Sequence, residues 1–109
     1  MIPNPTSIQI ANEAKFSSLA EEWEKETVMH SSLSKIVLNT AYQRIIGMGP
    51  VAIPFILRKM KQRAGHWFWA LDALTNGESP AQGCTSVRDA TDAWLKWGLD
   101  KGYISRDSE

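Results

Sequence analysis

His30, His66 and Cys84 are the side chains best suited to metal binding or nucleophilic attack, and their spacing supports neither. The two histidines stand far apart, and neither has a second His or Cys at ligand spacing such as CxxC or HxxxH. Cys84 lies just before a helix start, but no spacing puts a base beside it, so it reads as an incidental thiol. There is no Gly-x-Ser-x-Gly elbow. The "GMG" at 47–49 follows no strand and lacks a third glycine, and the phosphate-loop pattern is absent. Helix capping accounts for Gly47 and Gly49. Glu21, Glu22, Glu24 and Glu26 are dense, but they fall on the polar side of a helix where solvent is the default neighbour. No catalytic set is visible, and the chain is expected to be non-enzymatic, with no metal and no cofactor.

The charges are more informative. The 109 residues carry 12 bases and 12 acids, a net charge of zero that hides an acid–base–acid layout. Met1 to Glu26 is acidic. Thr27 to Leu71 holds Lys35, Arg44, Arg58, Lys59, Lys61 and Arg63 and no acid at all, and acids exceed bases again from Asp72 onward. Arg58, Lys59, Lys61 and Arg63 sit in the last turns of one helix, where cations also complement the negative helix end. On a helical wheel they spread over the whole arc outside the apolar stripe and form no single row. Non-specific nucleic-acid binders are usually basic overall, and this chain is not.

These groups must be positioned by helices. Phe16, Leu19, Ala20, Trp23 and Thr27 recur at three- and four-residue spacing, which predicts an amphipathic helix from Ser7 to Thr27. "VMHSSLSKIVLN" reads as a turn with a short helix. Asn39 is suited to cap a helix over Thr40 to Gly47, with Tyr42, Ile45 and Ile46 inward. "GMGP" breaks it, and Pro50 suits the start of the next helix. There Ile53, Ile56, Leu57 and Met60 form one stripe, while Pro54 predicts a slight kink. "HWFWALDALTN" predicts a helix opened by His66 with Trp67, Ala70, Leu71 and Leu74 on one face. Trp69 lies off that face, so either a second neighbour buries it or it anchors a partner. Ser86 caps a last helix that runs to Lys101, is closed by Gly102, and buries Val87, Ala90, Ala93, Trp94 and Trp97. No alternating apolar–polar run of strand length occurs. The expectation is an all-α compact bundle of about five helices: a flexible arm at 1–7, one domain over 8–103, and a frayed tail at 104–109.

"IIGMGPVAIPFILRKM" followed by "WFWALDALTN" resembles a single HEAT-type helical repeat over Ile45–Asn76. A solenoid needs about three stacked repeats, and the chain has no second copy, so the resemblance implies a closed bundle built around one HEAT-like helix pair. "YQRIIGMG", "HWFWAL", "AWLKWG" and Gly102-Tyr103 are similar to a family of small, uncharacterised bacterial all-helical proteins. That resemblance implies a bacterial, cytoplasmic, stand-alone domain and no activity.

No apolar run approaches the roughly 18 residues of a membrane span. "MIPNPTSIQIANEAK" lacks the basic-then-apolar pattern of a secretory signal, and a single cysteine suits a reducing cytoplasm. The functional expectation is a protein–protein interaction module. Its concrete form is a small accessory or antitoxin-like immunity protein, with an acidic protein partner meeting Arg58, Lys59, Lys61, Arg63, His66 and Trp69. The alternative is a nucleic-acid-binding regulator using Arg58–Arg63.

Overall fold

The computed structural model describes residues 7–29, 32–62 and 65–105. Among the described residues every regular element is helical and none is a strand. The elements are α1 (Ser7–Thr27), α2 (Leu33–Val37), α3 (Thr40–Gly47), a 3-10 turn (Gly49–Val51), α4 (Ala52–Gln62), α5 (Phe68–Leu74) and α6 (Val87–Lys101). The chain divides into two compact units, Met1–Ala52 and Ile53–Glu109.

In the first unit α1 buries the face its spacing defines: Phe16, Leu19, Ala20, Trp23 and Thr27. It packs mainly on α3, with α2 touching both. The Trp23 ring meets Tyr42 at 5.2 Å between centroids, and its indole N–H donates to Ile36 O at 2.9 Å. A five-residue helix leaves most of its carbonyls without internal partners. Side chains supply what α2 lacks: Trp23 takes Ile36 O, and Gln43 Nε2 donates to Val37 O at 2.7 Å. Asn39 then starts α3. Its Oδ1 accepts from the backbone N–H of Ala41 at 2.9 Å and of Tyr42 at 3.3 Å. Its Nδ2 donates to Glu26 Oε1 at 2.9 Å, which ties the cap to α1. Tyr42 and Ile45 are fully buried and Ile46 is half-buried.

Gly49 takes φ +82, a left-handed angle that glycine adopts at little cost, and this breaks the chain between α3 and α4. Pro54 is the third residue of α4. First-turn N–H groups have no intrahelical partner, so this proline forfeits no bond there, and the reason for expecting a kink disappears.

The second unit buries Ile53, Ile56, Leu57 and Met60 of α4, Trp67, Ala70 and Leu71 around α5, and Trp94 of α6. Helix α5 opens at Phe68 behind Trp67, not at His66, which lies in the preceding bend. Ser86 caps α6, its Oγ accepting from Asp89 N at 3.0 Å.

The buried face of α6 differs from the expected one. It runs through Thr91, Trp94 and Gly98, whereas Val87 is 57% exposed and Ala90, Ala93 and Trp97 are half-buried. Val87 is the first residue of α6, one turn before Thr91. Trp97 sits at the edge of the face, edge-on to Trp94 and stacked on Tyr103, with Nε1 donating to Glu78 Oε1 at 3.3 Å. Gly98 occupies the centre, where a larger residue would require Leu57 to shift. A methyl built there would lie 2.6 Å from Leu57 Cδ1 and 3.4 Å from Ile104 Cγ1.

Ile104 is a second correction. It does not fray but is buried. Gly102 turns left-handed at φ +82, and the N–H groups of Tyr103 and Ile104 return to Gly98 O at 2.9 and 3.4 Å. This reversal at a helix C-terminus brings the residue after the cap back over the last turn. Of the expected arm at 1–7, residues 1–6 lie outside the described residues and Ser7 instead begins α1; the last residues, 106–109, also lie outside.

Two substitutions in α6 test this packing. Gly98→Ala gains about 1 kcal/mol of helix propensity but overpacks against Leu57, whose methyl must move within a fully buried site. Overpacking costs roughly 1–3 kcal/mol, so the midpoint of urea unfolding should fall. An unchanged or raised midpoint would mean α6 stands further from α4. Thr91 is buried, and among the described residues its Oγ1 has no hydrogen-bond partner. An unpaired buried hydroxyl costs about 1–3 kcal/mol. Thr91→Val removes it at nearly constant shape and should raise the midpoint at an unchanged slope; a lower midpoint would show that the hydroxyl is satisfied.

Candidate interaction surface

Of the expected partner-binding residues, Arg58, Lys59 and Lys61 lie on α4, His66 in the bend before α5 and Trp69 in its first turn, all within the second unit. The apolar stripe of α4 faces its core, which leaves the basic residues on the remaining arc. Lys61 is exposed, and Arg58 and Lys59 are half-buried. Half-burial is normal for such side chains, because their methylene stems lie along apolar surface while the charged ends reach water. The Arg58 guanidinium carbon lies 5.8 Å from the centroid of the Phe55 ring, one turn earlier on the same helix. Cation–ring attraction operates within about 6 Å. Arg58, Lys59, Lys61 and His66 each also engage other groups of the chain. The patch is therefore a set of partly held cations, not a row of free charges. Arg63 lies outside the described residues.

His66 is exposed in the bend between α4 and α5. Trp69 is 56% exposed, while Trp67, two residues earlier, is almost completely buried. Helix geometry explains the contrast, since residues two apart point in different directions. Of the two readings open for Trp69, burial by a second neighbour is excluded. Five residues separate Gln62 from Phe68, so the end of α4 and the start of α5 lie within about 20 Å of each other by chain length alone.

Sequence reasoning missed several exposed apolar side chains in the first unit. Val28, Met29 and Leu38 are all well exposed. Leu38 also lines a shallow, open depression with Ser34, Lys35, Asn39 and Thr40. "IVL" at 36–38 has no periodicity, so nothing in it distinguishes buried Ile36 and Val37 from exposed Leu38.

No catalytic constellation accompanies these side chains. Among the described residues no three His, Cys, Asp or Glu side chains come together as a metal site would require. Cys84 is an exposed free thiol. His30 lies outside the described residues. Among the described residues no helix is long and apolar enough to cross a membrane.

The exposure of Trp69 has a direct consequence for stability. A surface side chain away from caps and cores changes stability by about 0.5 kcal/mol or less on substitution. Trp69→Ala should leave the thermal midpoint close to the parent's. A fall of the size expected for a core tryptophan, about 3–5 kcal/mol, would place Trp69 inside the packed unit.

No family model matches the chain, and neither a curated protein nor a solved structure does, so the surface is interpreted from its own residues.

Proposed function

We propose that the protein is a non-enzymatic protein-interaction module of the cytoplasm, a small accessory or antitoxin-like immunity protein, that holds an acidic protein partner on its second unit. The contact residues of this reading are Arg58, Lys59, Lys61, Arg63, His66 and Trp69. The observation that carries it is the exposure of Trp69 next in sequence to a buried helix pair. Trp is the residue most enriched at binding hot spots, where a large flat side chain is desolvated by a partner. The neighbouring cations supply the other half of such a surface. Long-range attraction between a basic patch and an acidic one speeds encounter, while the aromatic anchor slows escape.

A duplex nucleic acid would use the same cations differently. Each phosphate contact releases counterions, so affinity would fall with salt at a slope near −0.9 per contact. The zero net charge weighs against that mode.

The experiment is capture of partners from the native host by the parent chain, identification by mass spectrometry, then binding kinetics with variants. Changing Arg58, Lys59 and Lys61 to Glu should slow association and flatten its salt dependence. Trp69→Ala should chiefly speed dissociation, by about thirtyfold or more if it is a hot spot worth about 2 kcal/mol. Partners retained unchanged by both variants would remove the surface from consideration. A salt-dependent shift of duplex DNA by the parent, lost in the charge-reversed variant, would replace the protein partner with nucleic acid.

A further inference from the structure

The chain's one Asn-Gly pair, Asn76 and Gly77, forms the turn that closes α5. In such a pair the backbone nitrogen of the second residue attacks the side-chain amide carbon Cγ of the first. The nitrogen gives up its proton to solvent, ammonia leaves, and a five-membered succinimide remains. Water then opens the ring at one of its two carbonyls. The product is an aspartate or an isoaspartate, in which the main chain runs through Cγ. A glycine in second place favours the attack, because no β-carbon crowds the nitrogen.

Both residues are exposed, so water and base reach them. The fold nevertheless holds them in an unreactive arrangement. Thr75 is the C-cap of α5, Asn76 follows at φ 58 in the left-handed region, and Gly77 has φ +91. The N–H of Gly77 donates to Asp72 O at 3.0 Å, and that of Asn76 to Ala73 O at 3.4 Å. These are the two bonds of a left-handed helix closure. The attacking nitrogen is thus the donor of the longer-range bond, and its proton is held by Asp72 O. Ring closure also needs the Gly77 nitrogen to swing round the Cα–C bond of Asn76 until it eclipses Cβ. The left-handed region holds it nearly opposite that carbon.

We propose that Asn76–Gly77 is a self-modification site gated by the closure of α5, reacting only when that end of the helix opens while the rest of the unit stays folded. This is independent of the proposed partner surface. Helix α5 has only seven residues, and Asn76, Gly77, Glu78 and Ser79 are all exposed. Exposed backbone bonds at the end of a short helix open far more readily than a whole domain unfolds. Opening is reversible and the reaction is not. An isoaspartate lengthens the main chain between the two bonded N–H groups, so the closure cannot re-form in register. Either product also places a carboxylate at the negative end of α5, which is unfavourable.

The test incubates the full chain in mildly alkaline buffer beside an unstructured synthetic peptide spanning 73–80. Peptide mass spectrometry locates the change at Asn76, and enzymatic methylation detects isoaspartate. The folded chain should react more slowly than the peptide by about tenfold or more, tenfold being about 1.4 kcal/mol of opening free energy. Hydrogen exchange of the Gly77 N–H, followed by NMR, should be slowed to a similar extent, because one opening exposes the nitrogen to both reactions. Urea well below the unfolding transition should leave both factors nearly unchanged, since a local opening exposes little surface. A folded chain that reacts within about twofold of the peptide would overturn the gate. So would a slow reaction beside an unprotected Gly77 N–H. Factors that shrink with urea at the slope of global unfolding would overturn the local opening.

Discussion

Trp23 joins three helices of the first unit through two separate parts of one side chain. Its ring lies against Tyr42 of α3, and its N–H reaches the carbonyl of Ile36 at the end of α2. The second contact matters because α2 is only five residues long. Helices of that length do not persist on their own propensity, and their ends expose carbonyls that a buried site cannot leave unpaired. With Trp23 and Gln43 taking two of those carbonyls, Ile36 and Val37 can be buried without stranding polar backbone. The turn between α1 and α3 then has a fixed course. Asn39 completes it by capping α3 with one side-chain atom and holding Glu26 of α1 with the other.

The second unit depends on the opposite device, a missing side chain. Gly98 lets α6 approach Leu57 of α4 to a distance at which a β-carbon would push the Leu57 methyl aside. The carbonyl of the same residue receives the two N–H groups that fold the chain back after Gly102. Ile104 is thereby brought against the close-approach point, and Tyr103 is brought onto Trp97. The stacked rings fill one another's faces. The Trp97–Tyr103 pair with Glu78 at its edge is therefore a closed aromatic contact and not an open cage for a cation.

The parts of this fold that were legible in the sequence are those set by apolar spacing and by capping residues. The limits of α1, the inward face of α4 and the Asn39 cap of α3 all match the structure. The misses share a cause. Helical periodicity counts apolar side chains and is blind to a glycine, so it put Val87 and Trp97 on the buried face of α6, where Gly98 is in fact central. It also ended the domain at residue 103 and left Ile104 in a frayed tail, although the Gly102 cap it recognised is what folds Ile104 back. The division between Ala52 and Ile53 has no local mark, because it falls inside one continuous helix. At the candidate surface, the position of Trp69 off the Trp67 face was readable. Its solvent exposure depended on whether a neighbour covered it, and no spacing rule encodes that.

The unit boundary also changes how the charge layout bears on a binding surface. The acid-free run from Thr27 to Leu71 spans both units. Lys35 and Arg44 fall in the first unit, on helices that pack against α1, and Asn39 engages one of its glutamates, Glu26. Of the described cations in this run, Arg58, Lys59 and Lys61 fall in the second unit, all on α4. Three cations on a domain-sized surface give little attraction beyond about 8–10 Å in physiological salt. Charge alone is thus a weak basis for selectivity here. Under the proposed function, selectivity then rests on short-range contacts, and on α5 the exposed indole of Trp69 is placed to make one.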